Sequence, residues 1–295
     1  MTSSSFPLRP SQMHNIILFM HLSHETSIQR VFVRTETGVV SHEVPSPGET
    51  IGNGSLQWGM AEELLTPAYW ATQAWMWEVQ APEHYKLGSS LEEETLACLL
   101  GGYGIPAEVG LAAYERLRER FIDDPQTLNR EESVLEMLLE PLDIGERKVR
   151  YRFAKQKARY ISAAMNAMPQ VDREASDRDL RDKLVDIPGI GLKTASWIVR
   201  NWRNSDDVSI LDIHILRAGQ ILGVFPKERT VEKHYLMLED SYLEFAASIS
   251  VRASILDSVM WMTMRQMPIS MVKRLLGEEA GKPPKSVPMQ LALGL

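Results

Sequence analysis

Two residues of this chain have side chains suited to breaking a glycosidic bond: the amine of Lys193 and the carboxylate of Asp212. Each stands where a helix is expected to begin. A cation in a first helical turn opposes the helix dipole, and a residue that breaks a local rule marks a functional position. An amine made nucleophilic by its surroundings attacks an electrophilic carbon. An anion beside a developing oxocarbenium ion stabilises charge that exists only in the transition state. Plainer roles also fit: a phosphate contact for Lys193, a helix N-cap for Asp212.

The surrounding residues supply the elements that would hold these groups. In Asp186-Ile-Pro-Gly-Ile-Gly-Leu-Lys-Thr-Ala-Ser-Trp-Ile-Val-Arg-Asn201, Pro188 ends the preceding helix. Gly189 and Gly191 permit positive φ or the close approach of another backbone. Ala195, Ile198, Val199 and Trp202 then recur at the spacing of one buried helix face. Leu180, Leu184 and Val185 suggest a helix before the turn. The segment reads as helix, Gly-rich turn, helix. The unpaired N–H groups of such a turn and helix start bind an anion, and phosphate suits a turn built for close approach. Downstream, Ile210-Leu-Asp-Ile-His-Ile-Leu-Arg217 follows an apolar run and opens another helix. His214 and Arg217 are further phosphate donors, or Arg217 pairs with a surface acid.

The turn Gly189 to Ala195 and the Asp212-x-His214 element resemble the helix-hairpin-helix DNA glycosylase superfamily. The wording around Lys193 to Asn201 and Ile210 to Arg217 is most similar to its Ogg2-type 8-oxoguanine glycosylase/AP lyases. A third block agrees: Arg152-Phe153, Lys157-Ala158 and Tyr160-Ile161. The resemblance covers roughly residues 90 to 265. It implies an all-α, two-lobed fold and a partner in double-stranded DNA. It further implies that a damaged base is flipped out of the duplex. Lys193 then attacks the sugar C1′, a Schiff base forms, and β-elimination nicks the strand, with Asp212 steering the lysine. DNA contacts are implied for Gly189, Ile190, Gly191, His214, Arg152 and Lys157. No metal or redox cofactor is required; the hairpin at residues 187 to 193 has room, by resemblance, for K⁺ or Na⁺ on backbone carbonyls.

Base-pocket candidates are Tyr103, Trp197, Asp257 and Trp261. Aromatic rings stack on flipped bases; Trp70, Trp75 and Trp77 are further aromatic candidates, and core packing is the commoner use for most of the six. Asp257 lies in a stretch similar to the family's late helix; its plain alternative is a helix-surface acid. Gly101-Gly102-Tyr103-Gly104 breaks a helix, as an ordinary interhelix turn or as an opening for a base. Two other readings stay open: a glycosylase for another modified purine, and a non-catalytic DNA-binding module that retains the hairpin.

Composition sets limits. The 295 residues, 44% of them hydrophobic, suffice for two subdomains with cores. Cys98 is the only cysteine, which excludes an intrachain disulfide and a cysteine metal cluster. His21 and His24 have no companion ligands and read as ordinary histidines. The apolar run at residues 16 to 20 is too short to span a bilayer, and a cytoplasmic location is the default. A net charge of −7 is unusual for a DNA-binding protein. The segment 146 to 160 is the local exception: seven basic residues against Glu146 alone, interleaved with Tyr151, Phe153 and Tyr160. On a helix it would present a basic face able to steer DNA despite the negative total.

Residues 1 to about 12 read as disordered. Val31 to Val33 and Val39-Val40 suggest a β-hairpin within an N-terminal extension to residue 58, and Pro45 to Gly54 a loop. A helical domain follows at 59 to 276, then a flexible tail at 277 to 295. Ser90 with Glu93 forms a capping box. Helices are expected at 106–121, 132–140, 147–167, 176–186, 192–203, 213–221, 229–247 and 251–265.

Overall fold

The computed structural model describes residues 17–20, 28–52, 54, 56–80, 86–102 and 104–278. Residues 1 to 16, His21, His24, Tyr103 and the tail from 279 lie outside them. The chain divides into two compact units, residues 84–212 and residues 1–83 with 213–295.

Among the described residues of the 84–212 unit, six α-helices build one apolar cluster. Helix α2 (Leu91–Leu100) is its axis, buried on nearly every side. A helix packed all round buries polar residues too, here Glu93, Glu94 and Thr95. Ser90 caps it by accepting from the Glu93 amide at 3.2 Å. The return half of the expected capping box goes elsewhere: the Glu93 carboxylate accepts from the backbone and hydroxyl of Ser89, not from Ser90. Burial pushes the Glu93 carboxyl up, but those bonds and Arg118 outweigh it and hold it below its ordinary value. Helix α3 (Ala107–Asp123) follows the glycine break and Pro106, and α4 (Glu131–Leu139) follows a 3₁₀ turn.

The helix expected over 147–167 is not continuous. Residues 142 to 149 form a hairpin of β6 (Leu142–Ile144) and β7 (Arg147–Val149), and α5 begins only at Ala154 and runs to Ala167. Gly145 supplies the positive φ of +58° that the turn needs. Asp143 faces Lys148 across the strands, with a 3.3 Å ion pair between them. The seven basic residues are therefore spread over a strand, a turn and a helix. On α5, Ala154, Ala158 and Ile161 face the core while Lys155 and Arg159 face out.

The predicted helix pair around Pro188 is present as α6 (Asp177–Val185) and α7 (Leu192–Arg203). Ser176 caps α6, and α7 ends where Asn204 turns left-handed at φ +53°. Arg203 near the end of α7 bonds Asp177 at 2.6 Å, which locks the pair together.

In the other unit, β1 (Ile17–Met20), β2 (Gln29–Thr35) and β3 (Gly38–Val44) form an antiparallel sheet in that order. The expected hairpin is longer than the sequence indicated and gains a strand. The expected loop at 45 to 54 also holds a two-residue strand, β4 (Thr50–Ile51), paired with β5 (Leu56–Gln57). Gln29 ties β2 to Pro45, Gly59 and Ala61. Helix α1 (Pro67–Gln80) packs on β3, where Trp75 stacks on His42 at 5.0 Å. Burial lowers the His42 pKa. Trp70 is fully buried, a core aromatic. Helices α8 (Ile213–Leu222), α9 (Val231–Ser248, kinked at His234), α10 (Ala253–Gln266) and α11 (Ile269–Leu276) complete the unit, with α10 packed against α1 and α8. Among the described residues no helix is long and apolar enough to cross a membrane.

Candidate active site

Lys193 is the second residue of α7. Gly191 before it has no side chain with which to cap the helix, so the first amides of α7 are left for an outside partner. Lys193 is half-buried and lines a cavity of about 340 Å³ within the 84–212 unit. The wall comes from three segments. Cys98, Leu99, Gly101 and Gly102 close α2; Phe153 is the N-cap of α5, and Gln156 and Lys157 are on it; Gly189, Lys193, Thr194 and Trp197 belong to the hairpin and α7.

The two hairpin glycines have different reasons. Gly189 has φ +90°, and a Cβ there would lie 2.2 Å from the ring of Tyr160. That ring is fixed from behind, with Gln156 donating to its hydroxyl at 3.2 Å and the Arg159 guanidinium 5.3 Å from its centre. Gly191 has an ordinary φ of −95°, and a Cβ there would meet nothing. Gly189 is thus required by the fold, whereas Gly191 keeps space open outside it. We expect Gly189→Ala to cost about 2–4 kcal/mol from left-handed strain and overpacking. Gly191→Ala should cost under about 1 kcal/mol. Urea unfolding midpoints read both; equal midpoints would refute the distinction.

The end of α2 is held by α5 and the residues just before it. Tyr151 donates to the Leu100 carbonyl at 2.8 Å, and the Lys157 amine donates to the Leu99 carbonyl. These are among the last helix carbonyls, which lack intrahelical donors. Lys157 therefore faces the cavity, and burial lowers its pKa. Trp197 lies with its ring 3.4 Å from where a Gly101 Cβ would be, so the missing side chain admits the indole to the wall. Ile190 is buried beneath the turn, its amide bonded to the Ile187 carbonyl at 3.1 Å. Arg152 is exposed beside the cavity wall, its guanidinium 5.1 Å from the centre of the Phe153 ring. Cys98 is buried, and burial together with Glu94 raises its thiol pKa well above the usual value. It is a poor nucleophile.

Asp212 is half-buried and immediately precedes α8. The remaining candidates belong to the unit that holds α8 and α10. His214 meets Trp261 edge-on at 6.4 Å, and Arg265 covers the same indole at 4.8 Å. Trp261 is 38% exposed, so its ring offers a face to a partner. Asp257, one turn earlier on α10, is buried and accepts from the Ser258 hydroxyl at 3.0 Å. A surface acid does not describe it.

The cavity thus joins Gly189, Lys193, Trp197 and Lys157, while His214 and Trp261 meet each other. Sequence reasoning missed Phe153, Gln156 and Thr194. Their signal was positional: Phe153, Gln156, Lys157 and Tyr160 fall at i, i+3, i+4 and i+7, one stripe of α5. In chemical terms the cavity offers one amine beside a helix start, two aromatic walls and several hydrogen-bond donors.

A family model described as 8-oxoguanine DNA glycosylase matches residues 93–251. An 8-oxoguanine DNA glycosylase/AP lyase of Saccharolobus islandicus is 32% identical over 123 residues, covering 38% of this chain and 58% of the relative. That of Thermoplasma volcanium is 32% identical over 117 residues, covering 38% and 56%. The chain therefore spans less than three fifths of the length of either relative. Among solved structures, the 8-oxoguanine DNA glycosylase of Thermotoga maritima aligns with a TM-score of 0.46 at 25% identity, covering 58% of this chain and 77% of that one. The Methanocaldococcus jannaschii 8-oxoguanine DNA glycosylase aligns at 0.45 and 26%, covering 60% and 78%.

Proposed function

The chain belongs to the 8-oxoguanine DNA glycosylase family, and on that footing we propose that it is a DNA N-glycosylase with AP lyase activity, acting on 8-oxoguanine in double-stranded DNA. The observation that carries this reading is the Lys193 side chain, set at the start of α7 and lining a cavity beside the hairpin glycine. The open amides of the hairpin and helix start are suited to a backbone phosphate, and the exposed Arg152 adds a charge for the same purpose.

The chemistry then runs on the chain's own groups. The Lys193 amine bonds to C1′ of the flipped nucleotide, and the C1′–N glycosidic bond breaks. The base leaves with the bonding pair and takes up a proton. Sugar opening gives a protonated imine between Lys193 and C1′. That imine acidifies C2′; loss of the C2′ proton expels the 3′ phosphate and nicks the strand. Water then releases the lysine. Covalent catalysis divides one high barrier into lower ones. Asp212 supports the positive charge on the sugar and orients the amine. Trp197, in the cavity wall, is the stacking surface assigned to the base. If the hairpin holds K⁺ or Na⁺, the carbonyls of Ile187 and Gly191 already accept from Ile190 and Ala195, and no step above passes through the ion.

Borohydride reduction tests this directly. Duplexes carrying 8-oxoguanine, an abasic site or only normal bases are incubated with the protein and reduced. We expect covalent adducts with the first two and none with the third. Adduct with the abasic duplex alone would move the specificity to another modified purine. No adduct, with DNA binding intact, would make the chain a non-catalytic DNA-binding module.

A further inference from the structure

Glu94, in the first turn of α2, is fully buried and has no part in the chemistry above. Its carboxylate is nonetheless the meeting point of three segments. One oxygen accepts from the Leu87 and Gly88 amides at 3.1 and 2.9 Å. The other accepts from the Asn201 side-chain amide at 2.8 Å and from the Cys98 thiol at 3.8 Å. Every partner is a donor, so both oxygens act as acceptors. Asn201 is held in turn by Arg200, which donates to its side-chain oxygen at 2.9 Å. The loop before α2 is tied to the same end of α7 again, by Lys86 donating to the Trp202 carbonyl at 3.2 Å.

Apolar side chains of similar volume hold two helices together as firmly as a buried ionic group does. They fix rotation and slide less closely than directed bonds. Asn201 is near one end of α7 and Lys193 is at the other. Cys98, bonded to Glu94, lines the same cavity as Lys193. We infer that Glu94 is a positioning residue: through Asn201 it sets the rotation and axial position of α7, and so where the Lys193 amine enters the cavity. This rests on Lys193 being the nucleophile. A reacting atom misplaced by about 1 Å costs on the order of 10²-fold in rate.

The test is single-turnover nicking of a prebound abasic duplex, with DNA affinity and melting temperature measured alongside. Glu94→Gln puts a donor where four donors converge. It should slow nicking at saturating protein by about tenfold or more and leave affinity unchanged. The pair Glu94→Gln with Asn201→Asp keeps the Leu87 and Gly88 bonds on the glutamine oxygen and reverses those at the other position, where the amide donates to the new carboxylate and to the Cys98 sulfur. It should return the rate to within about threefold of wild type. Asn201→Ala removes only the α7 arm and carries the expectation if Glu94→Gln does not fold. A folded Glu94→Gln or Asn201→Ala protein with the wild-type rate overturns the inference, as does a pair with restored melting temperature but no restored rate. If the wild-type protein forms no adduct, the reading of Lys193 fails by itself. Hydrogen exchange at residues 189 to 194 then tests Glu94 without substrate: Asn201→Ala should exchange about tenfold faster there, and unchanged protection overturns the inference.

Discussion

Lys193→Gln is expected to abolish strand nicking and the reducible adduct on an abasic duplex, with a rate loss of at least about 10³-fold. Glutamine occupies nearly the same volume in the cavity wall, keeps a hydrogen-bond donor and cannot form an imine. The substitution replaces a half-buried side chain near a helix start and leaves the core face of α7, Ala195, Ile198 and Val199, intact. Stability should therefore change little. DNA affinity should fall at most by the share of one cation among several phosphate contacts. A single-turnover assay separates the effects, since only the chemical step depends on the amine. Nicking within about tenfold of wild type would assign the chemistry to another group.

Asp212→Asn is expected to slow base release by about 10²–10³-fold while leaving DNA affinity close to wild type. The carboxylate is assigned a charge that builds only as the glycosidic bond breaks, so its loss appears in kcat and not in binding. Asparagine retains the ability to cap α8, which separates this role from the structural one. Asp212→Ala would remove both, and a fall in melting temperature seen only with alanine would show the cap at work. Base release by Asp212→Asn at the wild-type rate would remove Asp212 from the mechanism.

What the sequence made legible was local. Helix α7 is found at the predicted residues 192–203 because its apolar face repeats cleanly and is bounded by two glycines and the left-handed Asn204. The 147–167 segment misled because β6 and β7 are three residues each, too short to show a two-residue alternation. Gly145 was the one punctuation mark between them. The cavity was only partly readable. Lys193, Lys157 and Trp197 stood out by chemistry, but Cys98, Leu99 and Thr194 join them through contacts between segments distant in the chain. The same limit hid Glu94, which shares the first turn of α2 with Glu92 and Glu93. It also hid the common unit formed by the N-terminal sheet and helices α8 to α11.

The central claim is that one amine, Lys193, bonds to the sugar. Reduction of the wild-type protein on an abasic duplex, followed by nuclease and protease digestion and mass mapping, measures this most directly. The deoxyribose remnant should sit on the peptide that contains Lys193 and on no other. A remnant on Lys157, the other cavity amine, or on the N-terminal amine would contradict the account.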